Sequence, residues 1–98
     1  MMSHPRHRLD PAFQTPIRFS LMAALRRDAD IEFGILRDLL EADDSSLSKA
    51  IAHLARTNYV RITKGYVGSR PRTWISITAY GERAYADHLT ALRAIAGE

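Results

Sequence analysis

The apolar residues of this chain change their spacing twice, and that restricts the fold more than any other feature. Up to Asn58 they recur every three to four residues, as on one face of a helix. From Val60 to Ile77 they alternate, as on one face of a strand. After Thr78 the helical spacing returns. A chain of 98 residues has room for one core, so the stretches must pack on each other. The expected order is therefore helices, a β-hairpin and a closing helix.

Helix boundaries follow from local chemistry. Thr15 before Pro16 suits an N-cap followed by proline at the first helical position. The spacing of Ile17, Leu21, Ala24 and Leu25 predicts a helix over 16–28. Ile31 reads as a short strand. Phe33, Leu36, Leu39 and Leu40 form the apolar side of a second helix from Glu32 to Leu40. Asp43 suits the N-cap of a third, with Leu47, Ala50, Ile51 and Leu54 as its apolar stripe. Asn58 closes it, because asparagine tolerates the left-handed conformation wanted past a helix end. The pair over 32–58, joined by a tight turn, is a helix-turn-helix. Residues 59–77 read as a hairpin with a turn-rich tip from Gly65 to Pro71. Thr78 caps a last helix over 79–96, where Ala84, Tyr85, Leu89, Leu92 and Ile95 mark an apolar face. Residues 1–14 read as an arm that becomes ordered towards Leu9 to Phe13. The expected fold is α+β and mainly helical: one winged helix-turn-helix domain over 1–98, with three helices, a β-hairpin wing and a C-terminal dimerisation helix.

Composition excludes several classes of function. There is no cysteine, so disulfides, thiolate metal sites and thiol redox sensing are absent. The four histidines, His4, His7, His53 and His88, are scattered and predict no metal site. No glycine-rich phosphate loop or nucleophile-base pair is visible; Asp87 and His88, adjacent on a helix, point about 100° apart. No catalytic residue and no cofactor is expected. No apolar run approaches the ~20 residues of a membrane span, and a cytoplasmic location is expected.

The net charge is +3, but its distribution is uneven. Residues 43–73 hold Lys49, Arg56, Arg61, Lys64, Arg70 and Arg72 against only Asp43 and Asp44. A basic patch favours a polyanionic partner. If Leu47, Ala50, Ile51 and Leu54 face the core, the third helix presents Ser45, Ser46, Lys49, His53 and Arg56, with Ser48 at the edge. Such a face fits the major groove of duplex DNA, small serines permitting close approach. Lys49 can reach guanine or phosphate, and Arg56 is better placed for phosphate. On the hairpin, Arg70 suits a minor groove, and Lys64 and Arg72 suit phosphates. Trp74 is expected to pack on the hairpin surface.

These segments resemble a known family. Leu47-Ser48-Lys49, Leu54 and Asn58-Tyr59-Val60 look like the recognition helix and following strand of winged-helix regulators in the MarR/ArsR superfamily. Pro71-Arg72-Thr73-Trp74 and Ile77-Thr78-Ala79-Tyr80-Gly81 look like their wing strand and last helix start. The sequence is most similar to the compact group of winged-helix DNA-binding regulators, over roughly residues 9–96. Ala50, Asn58 in place of glycine, and a wing without an acidic residue depart from the pattern. The resemblance implies a homodimeric transcriptional regulator on double-stranded DNA, with a palindromic operator. It implies a dimer interface from the first and last helices, to which Leu9, Phe13, Tyr85, Leu89, Leu92 and Ala96 are assigned. A small-molecule effector at the dimer interface stays open but is not indicated. A competing reading is a winged-helix protein-interaction module within a larger complex.

Overall fold

The computed structural model describes residues 3–98. The first long helix, α1 (Pro16–Arg27), starts where Thr15 Oγ1 accepts the Arg18 N–H at 3.3 Å, with proline at its first position. It buries Leu21, Met22 and Leu25. A two-residue strand β1 (Ile31–Glu32) leads into α2 (Phe33–Leu40), whose first turn is capped by the Glu32 carboxylate accepting the Gly34 N–H. Asp43 caps α3 (Asp44–Arg56), its Oδ1 accepting the Ser46 N–H at 2.7 Å and its Oδ2 the Ser46 hydroxyl at 2.8 Å. These bonds hold the Asp43 carboxyl below its ordinary pKa. Asn58 follows the helix with φ 64°, the left-handed conformation expected of it.

Strands β2 (Val60–Val67) and β3 (Arg70–Ile77) pair in antiparallel register from Val60 opposite Ile77 to Val67 opposite Arg70. β1 adds to the far side of β3, Ile31 opposite Ile75, so the strand order is β1-β3-β2. The base of the hairpin is pinned by buried Val60 and Ile75. Helix α4 (Ala79–Ala96) begins with Thr78 Oγ1 accepting the Gly81 N–H at 2.8 Å and ends at Gly97, φ 86°. The centre of the core is Leu21, Met22, Leu25, Leu36, Leu47, Leu54 and Ile75.

Four features differ from the sequence reading. The arm is not a plain tail: Pro5–Arg8 and Pro11–Phe13 form short 3-10 turns, capped by the side chains of His4 and Asp10. Met1 and Met2, counted in the expected arm, lie outside the described residues. Leu39 is 60% exposed rather than on the core side of α2, because Phe33, Leu36 and Leu40 already form the inward stripe of this eight-residue helix. The turn-rich tip narrows to two residues, Gly68 and Ser69. Gly65 and Pro71 lie in strands: the ring of Trp74 packs over Gly65, and β1 reaches only Ile75 and Trp74 of β3, short of Pro71. Finally, the buried stripe of α4 runs through Gly81, Tyr85, His88 and Ala91, leaving Leu92 and Ile95 outside.

Candidate nucleic-acid interface

The inward stripe of α3, Leu47, Ala50, Ile51 and Leu54, is fully engaged with the core. Helical geometry then turns Ser45, Ser46, Ser48, Lys49 and Arg56 outward, and all five are exposed. The Ser46 hydroxyl is already donated to Asp43, so only its lone pairs remain for a ligand. Arg37 at the end of α2 bonds both Asp38 and Asp44, at 3.1 and 3.0 Å. That ion-pair network covers part of the negative charge at the α3 N-terminus.

His53 sits deeper than its neighbours on the stripe, only half-exposed. Burial lowers its pKa, and the nearby Arg18 and Arg56 guanidiniums lower it further, against a raising effect of Asp10. It is thus held neutral near physiological pH, able to donate or accept a hydrogen bond without adding charge.

The wing adjoins the recognition face directly. A groove of about 350 Å³ is lined by Ser48, Ile51 and Ala52 of α3 together with Ile62, Lys64 and Thr73 of the hairpin. Lys64 and Arg70 are exposed and Arg72 half-exposed. Cross-strand register puts Lys64 on one face of the hairpin, opposite Thr73, and Arg70 and Arg72 on the other, opposite Val67 and Gly65. Trp74 shares the latter face, half-buried, with its ring 3.2 Å from where a Gly65 Cβ would stand.

The residues assigned to a dimer interface separate into two groups. Phe13 and Tyr85 are 3% and 5% exposed, in the core of their own chain. They are corrected to internal packing: Phe13 meets Tyr59, Tyr85 and His88, while Tyr85 stacks on Phe19 and carries the Arg26 guanidinium 5.1 Å from its ring. Leu9 and Leu89 are half-exposed, Leu92 is 37% exposed, and Ala96 is exposed beside Ile95. Leu9, Phe19 and Leu92 line an apolar groove of about 360 Å³ with Phe13 and His88 behind it.

One constellation escaped the sequence reading. The Asp10 N–H donates to His88 Nδ1 at 2.9 Å, and the Tyr59 hydroxyl donates to Asp10 Oδ2 at 2.5 Å. Arg18 adds bonds to the Ala12 and Pro11 carbonyls. The arm is therefore fastened to α4, to the segment between α3 and β2, and to α1. Burial lowers the His88 pKa, and desolvation, then Asp10, raises that of Tyr59. The spacing of His88 from Gly81 and Tyr85 marks the same helix face, and was the available signal.

Comparison with known proteins agrees with this geometry. The model of a family described as a winged helix DNA-binding domain matches residues 17–96. No curated protein matches the chain. Among solved structures, a transcriptional regulator homologue from Pyrococcus horikoshii OT3 is similar, with TM-score 0.87 and 24% identity over 98% of this chain and 96% of that one. The PcaV transcriptional regulator from Streptomyces coelicolor, in complex with its natural ligand, has TM-score 0.77 and 12% identity over 93% of this chain and 63% of that one. The M. tuberculosis transcriptional regulator MosR, in complex with DNA, has TM-score 0.72 and 20% identity over 95% of this chain and 66% of its own. The chain thus spans about two thirds of these last two regulators, with which it shares the fold.

Proposed function

This chain belongs to the winged helix DNA-binding domain family, and from that premise we propose that it is a homodimeric transcriptional regulator that reads double-stranded DNA. Helix α3 enters the major groove, with Ser45, Ser46, Ser48 and Lys49 at base edges and His53 as an uncharged partner. Arg56, Lys64 and Arg72 contact phosphates, and Arg70 reaches the minor groove. Two copies pair through the exposed parts of the arm and α4, around Leu9, Leu89, Leu92 and Ala96. The residues act as one domain, working in the cytoplasm. Among the described residues no helix is long and apolar enough to cross a membrane.

The observation that carries the reading is electrostatic. Between Asp44 and Glu82 the chain has six lysines and arginines and no carboxylate. That interval comprises the exposed face of α3 and the whole wing, which share one groove. A surface that is merely solvated mixes both signs.

Selection of bound duplexes from a random library tests the proposal. The expected result is an inverted repeat whose half-sites lie about 10 base pairs apart, centre to centre, as two-fold pairing demands. Absence of any enriched sequence would contradict specific recognition. A second reading, a protein-interaction module, draws on Ile35 and Leu39, exposed at 62% and 60% one turn apart on α2. A mobility shift on arbitrary duplex at low salt that is lost when Lys49, Arg56, Lys64 and Arg72 are replaced by alanine separates the two.

A further inference from the structure

The far end of the wing carries apolar side chains that the fold does not use. Tyr66 is 74% exposed and Val67 57%. The groove shared with α3 extends along β2 no further than Lys64. At about 3.3 Å per residue, Val67 stands roughly 10 Å further out. The tip is closed by Gly68 and Ser69 alone, with Gly68 at φ 63°, as a two-residue turn of the II′ kind requires. Nothing lies within 4 Å of where a Gly68 Cβ would be. A turn kept only for connection carries polar residues beside the glycine, because apolar side chains left in water gain nothing.

Both apolar residues are framed by cations. Tyr66 shares its face of the hairpin with Lys64, and Val67 stands opposite Arg70 with Arg72 diagonal to it. Back from the Gly68-Ser69 turn, one face carries Val67 beside Arg70 and then Arg72, and the other carries Tyr66 beside Pro71 and then Lys64. The minor groove of B-DNA is about 6 Å wide, with apolar sugar walls below two rows of phosphate. A hairpin end of this shape matches it: the apex enters, the aliphatic and aromatic groups meet sugars and base edges, and the cations meet phosphates.

We infer that Tyr66 and Val67 form an apolar wedge that seats the wing in the minor groove of duplex DNA and favours easily unstacked pyrimidine–purine steps there. The inference rests on the DNA-binding reading and adds two contact residues to it. It separates two roles within the wing. The cations supply an attraction that salt screens, and the wedge supplies a contact that salt does not.

The test uses the full chain and two labelled 30-base-pair duplexes, one with TA steps in the flanks and one with uninterrupted A-tracts in their place. Binding is followed by fluorescence anisotropy over a series of salt concentrations. Replacing Tyr66→Ser and Val67→Ser together should weaken binding to the TA duplex about tenfold, with the slope of log K against log salt unchanged. The A-tract duplex should lose less, and Tyr66→Phe with Val67 intact should keep wild-type affinity. Arg72→Ala, which removes one phosphate contact from each copy of the dimer, should instead lower the slope by about two. Since both residues are exposed, the thermal midpoint of the double variant should match the wild type. A double variant that binds both duplexes as tightly as wild type overturns the wedge and leaves DNA binding standing. Loss of affinity accompanied by a shallower salt slope also overturns it. A wild-type chain that binds neither duplex overturns the wedge together with the DNA-binding reading.

Discussion

Asp10 joins three parts of the molecule through one N–H and one carboxylate, and His88 can serve it only when neutral. The acceptor is Nδ1, which a second proton would occupy. Burial accordingly lowers the folded-state pKa of His88 below its unfolded value, with Asp10 acting the other way. A histidine depressed in this way contributes stability above its unfolded pKa of about 6.5, and that contribution is lost as pH falls through the folded value. The thermal midpoint should therefore fall between pH 7.5 and 5.5. In His88→Asn, whose amide oxygen stands near the Nδ1 position, the fall should be smaller. An unchanged pH dependence in that variant would refute the latch. His53, whose pKa burial also lowers, titrates in the same sense. Under the proposed recognition, in which Lys49 touches a base edge, Lys49→Ala should weaken a selected operator more than random duplex. Arg56→Ala should weaken both about equally. Competition binding on the two DNAs reads this directly, and equal losses for both variants on both DNAs would refute the division of roles. The exposed cations were legible from helical spacing alone. The Asp10, Tyr59 and His88 contacts were not, because they join positions 49 and 78 residues apart.

At the scale of elements, the start of α4 explains a sequence pattern that looked like a family signature. The Thr78 hydroxyl donates to the Asn58 carbonyl at 2.7 Å and accepts the Gly81 N–H. The first turn of α4 is thereby pulled onto the chain leaving α3. A Cβ at position 81 would collide with the Tyr59 carbonyl and lie 2.9 Å from Tyr59 Cα. Both neighbours are backbone and cannot swing aside. Gly81→Ala should cost about 3 kcal/mol, although alanine is the better helix former. The denaturant midpoint measures it, and a neutral or stabilising effect would show that the contact is not tight. Helix ends were readable because Thr15, Asp43, Thr78 and Asn58 each perform a local task that their chemistry announces. The extent of the wing strands was not readable. Gly65 and Pro71 ordinarily signal turns, and only the Trp74 ring and the short reach of β1 show why strands continue through them.

The whole molecule measures 59 × 24 × 21 Å with a radius of gyration of 14.9 Å, against about 13 Å for a compact chain of this length. Leu92 and Ile95 are 37% and 41% exposed near the end of α4, beside the groove that Leu9 lines. Sedimentation should give a dimer for the wild type at tens of micromolar. Leu92→Asp should give a folded monomer that keeps weak binding to random duplex and loses the operator. A wild-type monomer, or a variant that remains dimeric, would exclude this interface. Two members of the expected interface, Phe13 and Tyr85, could not be told from surface residues by sequence, because the arm that buries them is itself placed by long-range contacts. The central claim is that the cations between Asp44 and Glu82 meet DNA phosphates, and the salt dependence of binding tests it most directly. With about half of these groups engaged in each copy of a dimer, roughly six phosphates are neutralised, and log K against log salt should fall with a slope of about −5. Binding whose strength is independent of salt, or no binding to duplex at low salt, would contradict it.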